Sequence, residues 1–137
     1  MVVTYKRYIG NLGEDIACRF LIGQGFTIKD RNYLKKYGEI DIVAEKDTEL
    51  HFIEVKSVSH KNSNSPDEQF KYFLPEENIH PQKCKRLSRT IESYLLDEKK
   101  GIRGGLDSDW QFDVVIVFLC MDKKTAEVKF LQNIMLA

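Results

Sequence analysis

The sequence predicts an α/β protein in which one mixed sheet is flanked by helices, with elements in the order α-β-β-β-α-β-β. Three observations support this fold class. An apolar stripe at helical spacing opens the chain, apolar and polar residues alternate through two strands between 39 and 57, and an almost continuous apolar run covers 110–121. A chain of 137 residues is expected to form a single domain over residues 1–137.

The first helix is predicted over residues 4–24. Its apolar side chains recur every three or four positions and so form one stripe along a helix. They are Tyr5, Ile9, Leu12, Ile16 and Phe20. Glycines at 23 and 25 are typical of a helix end, and a first strand is predicted to follow over 26–34.

The next two strands, 39–45 and 50–57, are predicted to pair as an antiparallel hairpin. The polar segment "KDTE" places the centre of the turn between Asp47 and Thr48. Opposed residues then have numbers that sum to 95, whether the loop has two or four residues.

The rest of the chain contains a long polar connection, a second helix and two more strands. The connection, 58–79, is expected to be flexible because loops of this length are usually functional or disordered. Pro81 suits the first position of a helix that ends before Gly101, and a turn-rich linker follows over 101–109. The last strands are predicted at 110–121 and 126–134, and Asp113 is interpreted as a structural residue at the start of the buried strand.

Composition excludes a polycation and favours a reducing compartment. The chain has 21 basic and 21 acidic residues, so contact with nucleic acid would depend on local clusters. The three cysteines are far apart and include no C-x-x-C pair, which favours free thiols and a cytoplasmic location. A zinc site is the less favoured alternative; it would combine these cysteines with His51, His60 or His80. The N-terminal segment lacks the apolar region of a signal peptide.

The predicted hairpin brings charged residues together. With opposed numbers summing to 95, Asp41 faces Glu54 and Glu39 faces Lys56, with all four side chains on one face. Two carboxylates side by side repel each other, whereas a divalent cation between them would reverse the sign of the interaction. The alternative is an ordinary half-exposed strand pair whose outer face is charged. Spacing alone does not decide between these interpretations.

The pattern Asp41, twelve residues, then Glu54-Val55-Lys56 resembles the D…(D/E)-x-K signature of the PD-(D/E)xK nuclease superfamily. Five blocks also resemble, in order, those of the bacterial YraN-like family, which is similar to archaeal Holliday junction resolvases. They are "GNLGEDIACRFLIGQGFTIKDRN" (10–32), "GEIDIVA" (38–44), "HFIEVKS" (51–57), "KCKRLSRTIESYL" (83–95) and "FDVVIV" (112–117). The resemblance implies a restriction-endonuclease-like fold.

The resemblance also implies roles for individual residues. Asp41 and Glu54, with the backbone carbonyl of Val55, would bind Mg²⁺ or Mn²⁺. Lys56 would orient or deprotonate the attacking water and offset charge on the scissile phosphate. Glu14 matches a helix glutamate that contributes to the site in related resolvases, although an exposed helix glutamate is the alternative. The similar resolvases cut two strands with two sites, which implies a homodimer.

Two basic clusters are candidate nucleic-acid contacts. The first is Lys83, Lys85, Arg86 and Arg89, and the second is Lys29, Arg31, Lys35 and Lys36. Both flank the hairpin acids in sequence and would bind phosphates independently of base sequence. Tyr33, Tyr37 and Tyr72 lie near basic residues and are candidates for stacking on unpaired bases. Ordinary solvated helix faces and ordinary packing are the alternatives.

The sequence thus predicts a Mg²⁺- or Mn²⁺-dependent endonuclease acting on DNA, with branched or damaged DNA among the substrates considered. Two alternatives stay open. One is a nucleic-acid-binding module that keeps the nuclease fold without turnover, and the other is a small interaction protein that carries the motif by chance.

Overall fold

The computed structural model describes residues 2–60 and 80–136. Its two α-helices are α1 (Tyr5–Gly23) and α2 (Pro81–Leu95), and its strands are β1 (Thr27–Lys35), β2 (Gly38–Lys46), β3 (Glu49–His60), β4 (Trp110–Cys120) and β5 (Thr125–Leu131). The strands form one five-stranded sheet in the order β1-β2-β3-β4-β5. The β3–β4 pair is parallel and the other pairs are antiparallel. Neither of these helices is long and apolar enough to cross a membrane.

The predicted element order and the mixed sheet are confirmed, and three element ends differ by three residues or more. Strand β3 continues to His60, into the segment predicted as a loop, because residues 58–60 pair with 118–120 of β4. Helix α2 ends at Leu95, and two short 3₁₀ turns then occupy part of the predicted linker. Strand β5 ends at Leu131. The rest of the predicted loop, 61–79, lies outside the described residues.

Strand β4 builds the core on both faces of the sheet. Val114, Ile116 and Phe118 pack with α2, and Val115, Val117 and Leu119 pack with α1. All six are at most 2% exposed. The prediction that this strand is buried on both faces is therefore confirmed, and the two helices lie on opposite faces.

Asp113 occupies a structural position at the start of β4, as interpreted from the sequence. Its carboxylate is fully buried and accepts hydrogen bonds from the Gln111 side chain at 2.7 Å and the Asn133 backbone N–H at 2.9 Å. Its other oxygen lies 2.6 Å from Nδ1 of His51, which is also buried. These bonds connect β3, β4 and the segment after β5.

Helix α1 approaches β3 closely at one glycine. A β-carbon at Gly13 would overlap the side chain of Ser57, so only glycine fits at this position. The next residue in the helix is Glu14, and Ser57 directly follows Lys56. The close approach therefore fixes the distance between the helix glutamate and the strand that carries the candidate catalytic residues.

Gly13→Ala is expected to lower the free energy of unfolding by about 2 kcal/mol, because overpacking displaces α1 from β3. Urea denaturation measures this change. Gly10→Ala is the matched control, since a β-carbon there meets nothing within 4 Å and alanine favours helix. Adding Ser57→Gly to Gly13→Ala should recover part of the loss. Equal stabilities for the two alanine variants would contradict the close approach.

Candidate active site

The predicted hairpin turn and register are confirmed. Residues 42–46 pair with 49–53, and each opposed pair of numbers sums to 95. Asp47 and Thr48 form a two-residue turn with φ of 51° and 65°. Positive φ at both central residues is the conformation that matches the twist of two hairpin strands.

The ladder between β2 and β3 ends at the pair Ile42–Ile53, one residue before the predicted acid pair. Beyond it, the carboxylate of Asp41 accepts a hydrogen bond from the backbone N–H of Val55 at 2.8 Å. Because backbone N–H groups of a strand lie in the plane of the sheet, this carboxylate occupies the notch between the two strands. The Asp41 carboxylate is thus hydrogen-bonded to Val55, the residue that follows Glu54 in the chain.

In both β1 and β2, side chains stop alternating between the two faces of the sheet beside this notch. Asn32 has a left-handed backbone with φ of 54°, and the pairs on either side of it keep their register. As a result Ile40 and Val43 pack in the same cluster against α2, although strict alternation would place them on opposite faces. Ile42 packs against α1.

The interruption turns two of the four hairpin charges toward α1. Glu39 and Asp41 line a cleft beneath the N-terminal half of that helix. Glu54 instead forms an ion pair with Lys83 of α2 on the other side of the sheet. The prediction that all four charged residues share one face is therefore wrong, because the alternation it assumed does not continue through Asp41.

The cleft has a volume of about 590 Å³ and lies between α1 and the ends of β2 and β3. Three acids line it: Glu14, Glu39 and Asp41. Burial raises the pKa of Asp41, and the negative charges of Glu54, Glu14 and Glu39 raise it further. The Val55 hydrogen bond acts in the opposite direction, and the resulting pKa is about 7. The notch is therefore a place where a cation would be strongly favoured.

Glu54 is only partly neutralised by its ion pair. One carboxylate oxygen contacts the Lys83 amine, and the other, Oε2, is buried with no hydrogen-bond partner among the described residues. A buried carboxylate oxygen without a partner is costly, so it marks a position suited to a further ligand. The Glu54 side chain is 12% exposed, which leaves a narrow route to solvent.

Two lysines meet at Glu54. Lys83 lies within hydrogen-bonding reach of Lys56 as well as of Glu54. Burial lowers the pKa of Lys83, but the hydrogen bond and charge of Glu54 outweigh this effect and the charge of Asp41 adds to them, so the pKa is raised. The structure thus brings Lys56, Glu54 and Lys83 together, with Asp41 close enough to interact electrostatically.

Glu14 faces the cleft and is held there by an arginine. Arg31 of β1 contacts the carboxylates of Glu14 at 3.3 Å and Asp15 at 2.9 Å. Arg31 was predicted to contact nucleic acid; here its guanidinium joins β1 to α1. Only 14% of the Glu14 side chain is exposed, which distinguishes it from a solvated helix glutamate.

The basic cluster on α2 faces solvent. Lys85, Arg86 and Arg89 are exposed, while Lys83 at the start of the helix is half-buried against Glu54. Arg89 also lies over the ring of Tyr37, with 4.3 Å between its guanidinium carbon and the ring centroid. The cluster therefore extends from the candidate site along an open helix face.

Two of the three tyrosines selected from the sequence are not free for stacking on bases. Tyr33 is buried, Tyr37 is covered by Arg89 and bonded to Ser93, and Tyr72 lies outside the described residues. Exposed tyrosines occur instead at the start of α1, at Tyr5 and Tyr8. Sequence reasoning placed Tyr5 in the apolar stripe of the helix, which its exposure contradicts, and did not select Tyr8, although the basic residues between them in "YKRY" were an available signal.

Magnesium fits the donor set at the notch better than zinc does. In residues 2–60 and 80–136, no three His, Cys, Asp or Glu side chains converge as a metal-binding group. The donors that the family resemblance implies are the carboxylates of Asp41 and Glu54 and the carbonyl of Val55, all of them oxygen atoms. Mg²⁺ commonly binds through one or two carboxylates and keeps several waters, and the unpartnered Oε2 of Glu54 has acceptor capacity to offer.

Comparison with known sequences assigns the chain to a family. The model of the uncharacterised protein family UPF0102 matches residues 13–117, a span that includes every candidate residue at the notch. The chain belongs to the UPF0102 family. The family membership predicted from the ordered blocks is therefore confirmed.

Relatives in the UPF0102 family match the chain over nearly its whole length. A UPF0102 protein of Campylobacter jejuni (strain 81-176) is 38% identical over 130 residues, which covers 94% of this chain and 96% of the relative. A UPF0102 protein of Helicobacter hepaticus is 38% identical over 131 residues, covering 96% and 97%. One from Campylobacter fetus is 35% identical over 130 residues. The chain thus corresponds to almost the full length of these proteins.

Proposed function

We propose that this UPF0102 protein is a Mg²⁺- or Mn²⁺-dependent endonuclease of the restriction-endonuclease-like class that hydrolyses phosphodiester bonds in DNA. The observation that carries the proposal is the buried, unpartnered Oε2 of Glu54, a residue whose charge also raises the pKa of the Asp41 carboxylate at the strand notch. A bound cation would relieve the repulsion that Glu54 exerts on the partly buried Asp41 carboxylate and would give Oε2 of Glu54 a partner. Branched or damaged DNA is the substrate group that the resemblance to junction resolvases suggests.

The residues at the notch divide the chemistry between them. Asp41, Glu54 and the Val55 carbonyl would hold the metal, which when bound supplies a water of lowered pKa and stabilises negative charge on the phosphate. Lys56 lies on the same side as Glu54 and orients the attacking water. Glu14, from the cleft wall, adds to the negative potential at Asp41 that favours the cation.

The cations on α2 bind the phosphates of the substrate. The chain has no net charge, so this local cluster must supply the attraction. Lys83 lies nearest the notch, and Lys85, Arg86 and Arg89 continue along the exposed helix face. A homodimer of such a domain would present two notches to two strands.

Metal binding without DNA provides the first test. Mn²⁺ at ten times its dissociation constant is expected to raise the melting temperature by roughly 4–8 °C, because metal binds only the folded protein. Glu54→Gln removes one ligand and should abolish most of this rise. Glu127→Gln, at an exposed position on β5, makes the same chemical change away from the notch and should retain the rise. An equal rise in both variants would place the metal elsewhere.

Cleavage assays separate the enzyme from the binding-module alternative. Wild-type protein is incubated with junction, flap, single-stranded and duplex DNA in Mg²⁺ and in Mn²⁺. Metal-dependent products support the proposal. DNA binding without cleavage of any of these substrates in either metal would leave the binding module as the function.

A further inference from the structure

The first turn of α1 forms one wall of the acidic cleft and carries side chains of a kind that nucleic acids bind. Tyr5, Lys6 and Arg7 line the cleft directly, and Tyr8 follows them on the same turn. Tyr5 is 60% exposed and Tyr8 is 51% exposed. We call Tyr5, Lys6 and Arg7, together with the adjacent exposed Tyr8 that lies outside the cleft lining, the N-terminal wall. Thr4 caps the helix by accepting a hydrogen bond from the Arg7 N–H at 3.2 Å, so the wall begins at a formed helix end.

The side of the cleft across from the N-terminal wall is small and polar. It is formed by Ser57 and Ser59 of β3 and Asn32 of β1. Gly10, one turn beyond the wall, also lines the cleft, and a β-carbon there would meet nothing within 4 Å. The space between the helix and the sheet edge is therefore open to a ligand of substantial size.

Charge in the cleft changes sign from mouth to floor. Lys6 and Arg7 make no ion pair with any residue that the structure describes, so their cations are available at the mouth. Glu14 and Asp41 lie at the floor, near the notch. A strand entering this cleft would bring phosphates past the cations and one phosphate toward Asp41, a proposed metal ligand.

We propose that the N-terminal wall binds unpaired nucleotides, and that the substrate class is DNA with a single-stranded segment. This inference rests on the proposed nuclease function and specifies its substrate. Tyrosine faces stack on the bases of an unpaired strand, whereas duplex bases are already stacked on one another and present no free face to a tyrosine ring. Stacking on Tyr5 and Tyr8 with phosphate contacts from Lys6 and Arg7 therefore selects unpaired over paired DNA.

Binding measurements with two tyrosine variants test the preference. Fluorescence anisotropy in EDTA follows a labelled single-stranded oligonucleotide and the matching duplex at one fixed salt concentration. Tyr5→Ala and Tyr8→Ala are each expected to raise the Kd for the single strand about 10-fold and the Kd for the duplex less than 2-fold. Equal losses on both substrates, or no loss on either, would overturn the inference.

A filled cleft gives an independent test that does not depend on removing a contact. Gly10→Leu places a side chain in the open space and exchanges glycine for a better helix former, so the melting temperature should stay equal or rise. Single-stranded binding is expected to fall at least 10-fold. Arg19→Ala, an exposed position on the same helix outside the cleft, is the control and should leave the Kd nearly unchanged. Unchanged binding in Gly10→Leu would exclude the cleft as the binding site.

The two proposals fail in different ways. If wild-type protein cleaves DNA with metal but the tyrosine and Gly10 variants lose no preference for unpaired strands, only the N-terminal wall is refuted. If wild-type protein binds neither oligonucleotide and cleaves nothing, the proposed function is refuted and the wall with it.

Discussion

Replacing Asp41 with asparagine is expected to reduce metal-dependent DNA cleavage by about 1000-fold or more. The carboxylate lies in the notch between β2 and β3, bonded to the Val55 N–H, and asparagine can keep that bond through its carbonyl oxygen. The substitution therefore removes the negative charge of the proposed metal ligand without removing the structural contact. Initial rates on a flap or single-stranded substrate, with Mn²⁺ varied, measure the loss.

Companion substitutions separate metal binding from the later chemistry. Glu54→Gln should also reduce cleavage by about 1000-fold and should weaken the Mn²⁺-dependent rise in melting temperature. Lys56→Met should reduce cleavage by about 100-fold while leaving that rise intact, because the lysine acts on water and phosphate. Glu127→Gln, exposed on β5, serves as the control with unchanged rate. Cleavage that persists in Asp41→Asn and Glu54→Gln would show that the notch is not the active site.

Local signals in the sequence predicted most of the architecture. The stripe of α1, the alternation of β2 and β3 and the apolar run of β4 each depend on neighbouring residues, and each element was found. The turn at Asp47 and Thr48 was placed correctly because the polar segment "KDTE" interrupts two alternating strands at that point. The register followed from that turn without knowledge of any distant contact.

The same local sequence patterns did not predict the positions of the acidic side chains. A single left-handed residue, Asn32, accompanies the interruption that moves Asp41 from the face of Phe52 toward α1. Asparagine tolerates this conformation but does not demand it, so the sequence carries no rule for the position. The period-2 argument failed at this point because it assumed an uninterrupted strand.

Long-range contacts were likewise hidden from sequence spacing. Lys83 is 29 positions after Glu54 and was predicted as a phosphate contact, whereas in the structure it neutralises one oxygen of that carboxylate. Gly13 looked like one more glycine in a helix with several, and its contact with Ser57 emerges only when α1 is packed on β3. Both examples depend on which helix covers which face of the sheet, and periodicity within one segment does not encode that.

The buried acid at the notch should also make the metal-free protein less stable as the pH rises. Asp41 has a pKa of about 7 in the folded protein, because of burial and the charges of Glu54, Glu14 and Glu39, against 3.8 as its ordinary value. Below about pH 4 the group is protonated in both states and contributes no pH dependence. Between pH 4 and pH 7 the folded state binds more proton than the unfolded state, so the free energy of unfolding falls as the pH increases.

This group alone is expected to lower the free energy of unfolding by up to about 4 kcal/mol between pH 4 and pH 8. Urea denaturation in EDTA at pH 5 and pH 8 measures the difference. Asp41→Asn should be more stable than wild type at pH 8, with a flatter pH dependence, and the two proteins should converge toward pH 4. Glu127→Gln, as the exposed control, should follow the wild-type curve. Parallel pH curves for wild type and Asp41→Asn would contradict a destabilising carboxylate at the notch. They would mean that removing the charge does not raise the free energy of unfolding at high pH.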